Sequence, residues 1–191
     1  MAIIGAGPLG RWLALSAARA GFRVLLEDVM PANLHHAQEY LRQESLRQES
    51  LRQDLDRQPL PAVSFASTIE DAVRDADLAI DCVPDELESK LEIFWLLDRM
   101  APPRTVLATP TTRLSIADLA ACTYRPSQCI AIAAEASSLS GGAPSQILMR
   151  TTTRTSAATI ALLTRFWHQL GFTSAFEPDP AEQPPSLSAL S

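Results

Sequence analysis

Residues 1–10 read Met1-Ala2-Ile3-Ile4-Gly5-Ala6-Gly7-Pro8-Leu9-Gly10, and this stretch decides the fold. Ala2-Ile3-Ile4 is a short apolar run of the kind buried in a parallel sheet. The pattern Gly5-x-Gly7-x-x-Gly10 follows at once, and residues 9–20 (LGRWLALSAARA) carry the alanine and leucine of a helix that Gly21 stops. G-x-G-x-x-G alone is a weak signal. Between a strand and a helix it has the context in which glycines permit a tight turn and a close approach of backbone to a pyrophosphate, which then sits on the N–H groups and positive end of the helix. Pro8 suits that helix's first turn, where its missing N–H has no intrahelical partner. Asp28 closes the next β-rich run, RVLLED at 23–28, and lies 18 residues past Gly10. A carboxylate there accepts from both ribose hydroxyls and repels a 2′-phosphate, which favours NAD over NADP. The competing reading is a glycine turn that only packs a helix on a sheet, and FAD uses the same turn.

Outward from this unit, short apolar runs alternate with helical stretches. The runs are AVSF (62–65), DLAID (77–81), TVLAT (105–109), CIAIAA (129–134) and QILMRT (146–151). Ser67-Thr68-Ile69-Glu70 reads as a capping box opening a short helix through Arg74. ELESKLEIFWLLDRM (86–100) is amphipathic at helical spacing, Ser115 opens another helix, and Gly171 stops TSAATIALLTRFWHQL (155–170). This alternation predicts an α/β fold, a Rossmann-like doubly wound and mostly parallel sheet. Residues 1–177 are expected to form that single domain, with a helical arm at about 31–58 after the second strand, and 178–191 a flexible proline- and serine-rich tail. The arm contains a tandem repeat, LRQES LRQES LRQDL (41–55), with Glu44–Arg47 and Glu49–Arg52 placed to pair along a helix. A period of five turns each leucine by about 140° from the last, so Leu41, Leu46 and Leu51 form no single stripe. The arm reads as a solvated helix, either an expanded repeat tolerated at the surface or a partner-binding segment.

The bulk numbers exclude several classes. A chain of 191 residues suffices for one well-cored domain, and 47% hydrophobic with 20% charged residues is ordinary for a soluble one. A net charge of −6 argues against nucleic acid as a partner. No apolar run approaches the ~20 residues of a membrane helix, and the N-terminus has no signal-peptide pattern, so neither membrane nor export is expected. Cys82, Cys122 and Cys129 are odd in number and fit no metal or redox spacing, which points to thiols in a reducing cytoplasm. His35 and His36 point about 100° apart on a helix and read as a solvated pair, so no metal site is expected.

The stretch DLAIDCVPDELESKLEIFWLLDRMAPPRTVLATPTTRLSIADLA (77–120), taken with the glycine turn and Asp28, resembles the NAD-binding domain of the 3-hydroxyacyl-CoA dehydrogenases of fatty-acid metabolism. The resemblance runs from Gly5 to about Pro126, and more loosely to Gly171. It implies a cofactor site made by Gly5, Gly7, Pro8, Leu9, Gly10, Asp28, Val83, Asp85, Lys90 and Thr112. Val83 opens the turn after strand four. Asp85 stands at the family's glutamate near the nicotinamide, one methylene shorter, and Lys90 at the family's lysine. Thr112 keeps the hydroxyl of a serine that touches substrate and cofactor. Thr109-Pro110 replaces serine-asparagine and loses a side-chain amide. Lys90 also fits a solvated helix surface, and Thr112 a plain hydroxyl before a helix. Ser45 and Arg52 lie near the family's CoA-holding serine and lysine, in a register the repeat blurs.

The resemblance also implies a histidine base near the end of the strand after Arg125-Pro126, with a glutamate on the next strand to orient it. Counting from Arg125-Pro126, the histidine position is Ala133 and a following asparagine is Ala136; Met149, or Ser145 in another register, stands for the glutamate. No histidine lies between His36 and His168, and His168 reads as a surface residue. Glu135 is the acid nearby and would share a strand face with Ala133. The family's C-terminal helical domain has no counterpart before the chain ends. No catalytic residue is therefore assigned. Two functions are expected: an NAD(H)-binding relative without its catalytic pair, or an NAD-dependent oxidoreductase on a hydroxyacyl-CoA or small hydroxy acid that uses Glu135, Thr112 or a partner chain. Both carry an acyl-CoA as possible ligand and a homodimer or partner chain as possible assembly.

Overall fold

A computed structural model describes residues 1–51, 63–133 and 146–182. Eight strands form one sheet: β1 (Ala2–Ile4), β2 (Val24–Glu27), β3 (Val63–Ala66), β4 (Leu78–Asp81), β5 (Val106–Pro110), β6 (Cys129–Ile132), β7 (Gln146–Thr151) and β8 (Thr173–Pro178). Their spatial order is β3-β2-β1-β4-β5-β6-β7-β8. Strands β1 to β6 run parallel to their neighbours, β6 meets β7 antiparallel, and β7 and β8 are parallel again. The helices are α1 (Pro8–Arg19), α2 (Pro31–Leu51), α3 (Ile69–Val73), α4 (Leu87–Met100), α5 (Ile116–Ala121) and α6 (Ala157–Gln169). The mostly parallel Rossmann-like sheet expected from the alternation is what forms.

The central strands are apolar without interruption because both faces are covered. Ile3 and Ile80 point into a layer with Leu13 and Ala17 of α1 and Leu163, Phe166 and Trp167 of α6. Ala2, Ile4 and Ala79 point the other way, against Phe94 and Leu97 of α4 and Leu119 of α5. Helix α2 follows Asp28 closely and leans on α1 through Arg19–Glu44 (3.5 Å) and the Arg11 guanidinium over the Tyr40 ring. Glu44 also pairs with Arg47 at 3.4 Å, as the repeat predicts. The Glu49–Arg52 pairing lies outside the described residues, as does the arm from 52 to 58.

Two boundaries differ from expectation. The cap of α3 is Thr68, not Ser67: its Oγ1 accepts from Asp71 N at 3.2 Å and donates to the Asp71 carboxylate at 2.8 Å. The flexible tail expected from residue 178 is instead ordered as far as Glu182. Residues 173–178 form β8, paired along the whole of β7, and a 3₁₀ turn covers Pro180–Glu182. Asp179, only 1% exposed, fastens that turn to the sheet and to α5. Its N–H donates to Thr151 O at 2.8 Å, while its Oδ2 accepts from Ser115 Oγ (2.9 Å) and Ala117 N (2.8 Å).

Asp179→Ala should therefore strand two donors at the start of α5 and cost about 1–3 kcal/mol. At about 2–4 °C per kcal/mol for a chain of this size, the loss is readable in a thermal melt, with Asp179→Asn losing less because it keeps an acceptor.

Candidate functional site

A cleft of roughly 1140 Å³ opens across the C-terminal ends of β2, β1, β4 and β5. The strand order departs in opposite directions from β1 and β4, which is where an open α/β sheet leaves a crevice for a ligand. Small-molecule sites run to about 300–1,000 Å³, so this one has room for a dinucleotide.

The three glycines of the turn have three separate reasons. Gly5 sits at φ +101°, a conformation that side chains rarely adopt, and a Cβ there would stand 3.0 Å from the Cys82 carbonyl carbon. A Cβ on Gly10 would lie 1.9 Å from Gly5 O, so only glycine lets α1 press against the turn. A Cβ on Gly7 would meet nothing within 4 Å. Gly7 thus faces open space in the cleft, as a position kept bare for a close-fitting ligand would. Pro8 opens α1, no side chain caps the helix and no acidic residue occupies its first turn, so its positive end is left for an anion. Pro8 and Leu9 line the cleft with Gly5 and Gly7.

Asp28 lines the cleft at the end of β2 and is 8% exposed. Its Oδ2 accepts from Ala6 N and its Oδ1 from Met30 N, both at 2.8 Å, and the Asn33 amide reaches the two oxygens at 3.1 and 3.2 Å. The carboxylate expected to greet ribose hydroxyls already clamps the glycine turn to the start of α2. Asn33, absent from the expected site, is its longest partner and so the one a ribose hydroxyl displaces most readily. Val29 and Met30 stand 79% and 57% exposed on the rim, apolar cover for a flat base.

Val83 and Asp85 line the far wall, together with Thr112. Asp85 Oδ1 is buried with no hydrogen-bond partner, an orphan acceptor that suits a hydroxyl or amide donor of a nucleotide. Thr112 is exposed, and its carbonyl accepts from Arg150 at 3.1 Å. The open Gly7, the uncapped α1 and the orphaned Asp85 oxygen together fit a dinucleotide.

Lys90 lies neither on the cleft nor on a solvated helix face, the two places expected of it. It is fully buried, and its Nζ donates to Asp81 Oδ2 (3.2 Å), Thr109 Oγ1 (2.9 Å) and Val83 O (3.3 Å). Thr109 donates in turn to Asp81 Oδ2 at 3.0 Å, and Asp81 Oδ1 accepts from Val83 N at 2.9 Å. Burial pushes the Asp81 carboxyl up, against the pull of Lys90, the Val83 amide and the Thr109 hydroxyl. Lys90 is a strut behind the wall that carries Val83. The sequence signal for this was available: Lys90, Phe94 and Leu97 lie on one helical face, and all three are buried.

The two described positions that stand for the family's catalytic pair, Ala133 and Met149, lie on neighbouring strands and carry no titratable group. Ala133 follows β6 directly, and its N–H donates to Leu148 O at 2.8 Å. Met149 is fully buried opposite Ile132. Glu135, Ala136 and Ser145, with Arg52 of the arm, lie outside the described residues. Ser45 turns its hydroxyl back to Leu41 O at 2.8 Å, and His168 is exposed on α6. Burial pushes the thiol of Cys82, beside the cleft, up, and that of Cys129 to about 12, so neither is a ready thiolate. Among the described residues no group of three His, Cys, Asp or Glu could hold a metal ion, and no helix is long and apolar enough to cross a membrane.

The sequence model of the domain described as "3-hydroxyacyl-CoA dehydrogenase, NAD binding domain" matches residues 1–133. The chain belongs to the 3-hydroxyacyl-CoA dehydrogenase family and contains its NAD-binding domain. It is similar to a probable 3-hydroxybutyryl-CoA dehydrogenase of Bacillus subtilis (strain 168), 33% identical over 132 residues that cover 67% of this chain and 45% of the relative. It is also 31% identical over 121 residues to 5-formyl-3-hydroxy-2-methylpyridine 4-carboxylate 5-dehydrogenase of Mesorhizobium japonicum, covering 63% of this chain and 39% of that one. The crystal structure of (S)-3-hydroxybutyryl-CoA dehydrogenase from Ralstonia eutropha shares the fold at a TM-score of 0.81 and 20% identity, over 93% of this chain and 62% of that one. The chain spans less than half the length of the two curated relatives. The NAD cofactor and the fold read from the glycine turn are thereby shown.

Lys90→Met should leave the Asp81 carboxylate buried without its counter-charge and cost about 3–5 kcal/mol. The double variant Lys90→Met/Asp81→Asn should recover most of that in urea titrations. Glu27 gives a pH test. It is 4% exposed beside Asp28, and burial, with the neighbouring Asp28 charge second, pushes its carboxyl from the usual 4.5 to about 7. The folded chain then holds a proton that the unfolded chain releases at about 4.5, so Glu27's contribution is full below that pH and is lost as pH rises through about 7. Glu27→Gln should match the wild type at pH 4 and exceed it at pH 8 by about 1–2 kcal/mol, the shift being partly screened by solvent beyond the strand end.

Proposed function

We propose that this chain works as an NAD(H)-holding subunit in which the family's proton acceptor is not supplied at its usual place. One contrast carries the reading: the cleft keeps a bare Gly7 and an orphaned Asp85 oxygen, while the position of the base is the methyl group of Ala133. When bound, NAD supplies a hydride acceptor. The chain's own residues do the remaining work. The turn at Gly5 and Gly7 and the open end of α1 receive the diphosphate, Asp28 takes the adenosine ribose, and Asp85 accepts a donor at the nicotinamide end. Val83 is held at the wall by Lys90. A base of the family's kind contributes ~10²–10⁴-fold to rate, so its loss leaves binding intact and turnover poor. The role is then that of a binding or regulatory protein of the cytoplasm, as a homodimer or with a partner chain, and an acyl-CoA of fatty-acid metabolism is the second ligand the family offers. The rival reading, an active oxidoreductase on a hydroxyacyl-CoA or small hydroxy acid, draws on the exposed Thr112 hydroxyl in the cleft and on a base from Glu135 or a partner chain.

Calorimetric titration with NADH, with and without acetoacetyl-CoA, tests both. Micromolar NADH binding is expected, with Gly7→Ala weakening it at least tenfold at an unchanged melting temperature. Gly10→Ala should instead lower the melting temperature, because its Cβ collides with Gly5 O. No binding up to millimolar NADH rejects the proposal. Turnover of 3-hydroxybutyryl-CoA with NAD by the purified chain rejects the non-catalytic reading and leaves the rival.

A further inference from the structure

One charged side chain in the cleft has no place in the cofactor site described above. Arg113 follows Thr112 in the loop after β5, and among the described residues that line the cleft it is the sole cation. Its side chain is 72% exposed. One Nη donates to Asp85 O at 2.8 Å, and Nε lies 3.8 Å from Asp85 Oδ2, beyond hydrogen-bond reach. A guanidinium has five N–H donors in a planar fork, so with one hydrogen bond and a long ion pair to Asp85 most of this exposed fork is left to solvent or a ligand. The loop under it is stiff. Thr111 Oγ1 accepts from Arg113 N (3.3 Å) and Leu114 N (3.0 Å), and Arg150, neutralised by Glu177 at 2.8 Å, holds Thr112 O from behind.

Position along the sheet separates Arg113 from the diphosphate. The turn at Gly5–Gly10 follows β1, and Arg113 follows β5, two strands away. Strands stand about 4.8 Å apart, which puts the loop roughly 10 Å from the turn, toward the nicotinamide end of a bound dinucleotide. There the exposed residues Thr112 and Arg113 line the cleft together with the apolar Val83, Pro84 and Pro110. A fork of this kind matches the two oxygens of a carboxylate.

We infer that Arg113 makes the second ligand of this cleft a small oxo- or hydroxy-carboxylate, bound through its carboxylate beside the nicotinamide end. The inference rests on the NAD(H) reading for what fills the rest of the cleft. An oxyanion could also come from the phosphates of coenzyme A, so the test separates the sources.

The whole chain is titrated with acetoacetate, methyl acetoacetate and acetoacetyl-CoA, each with and without saturating NADH, for the wild type, Arg113→Gln and Arg113→Lys. Acetoacetate should bind the NADH-loaded wild type and the neutral ester should not. Arg113→Gln should lose about tenfold or more for acetoacetate, Arg113→Lys less, and both should keep NADH affinity within twofold and an unchanged melting temperature. A loss of NADH affinity in Arg113→Gln overturns the proposal by assigning the arginine to the cofactor. So does equal binding of acid and ester, absence of acetoacetate binding, or preference for acetoacetyl-CoA that Arg113→Gln abolishes. If NADH itself does not bind, the NAD(H) reading fails separately. Acetoacetate binding to the unloaded protein then decides this one: dependence on Arg113 supports it, and no binding overturns it.

Discussion

A single buried ammonium group ties the working end of this sheet together. Lys90 reaches from α4 to Asp81 at the end of β4, to Thr109 in β5 and to the carbonyl of Val83 between them. Two adjacent strands and the loop that walls the cleft are therefore fixed by one cation whose desolvation must be offset at every contact. The wall holding Val83 and Asp85 cannot drift from β5 without leaving a charge stranded in the core. Asp28 does the same on the other side of the crevice, joining the glycine turn to the start of α2 through Ala6 N and Met30 N. The cleft is thus a gap between two carboxylate-centred clamps, and its width is a property of the scaffold before any ligand arrives.

The parts of this architecture that were legible are those with local causes. A glycine turn between an apolar run and an alanine-rich helix constrains its own backbone, so residues 1–21 could be read without knowing what packs on them. The same holds for Ser115, whose side chain caps α5 by accepting from Asp118 N. What escaped depends on partners distant in sequence. Thr173–Pro178 (TSAFEP) has a proline and few large apolar side chains, so nothing local marks it as a strand; it becomes β8 because β7 offers six successive partners. Lys90 was read by its charge when its place on the buried face of α4 was the better guide. Asn33 and Arg113 carry no motif at all and matter only because folding brings them to the rim of one crevice.

The site itself divides along the same line. Gly5, Gly7 and Gly10 could be named from spacing, but their unequal reasons could not: Gly10 answers to the packing of α1 and Gly7 to empty space. Asp28, expected from the sequence as a ligand to ribose, has its two oxygens engaged by Ala6 N, Met30 N and the Asn33 amide, so a ribose would have to compete for them. On the catalytic side, Ala133 directly follows β6 and Met149 lies within β7, and the backbone pairing between these strands is intact. The paired backbone that would aim a base carries only a methyl group and a thioether at these two positions.

The Asp179 latch has a consequence for how the domain transmits strain. One carboxylate oxygen holds both the hydroxyl and an amide at the start of α5, and α5 begins immediately after the Thr111–Leu114 loop that floors the far end of the cleft. The segment after β8 and that loop are therefore mechanically in series. The Pro180–Glu182 turn and the loop at the far end of the cleft share one anchor, and reorienting either would strain the Asp179 contacts.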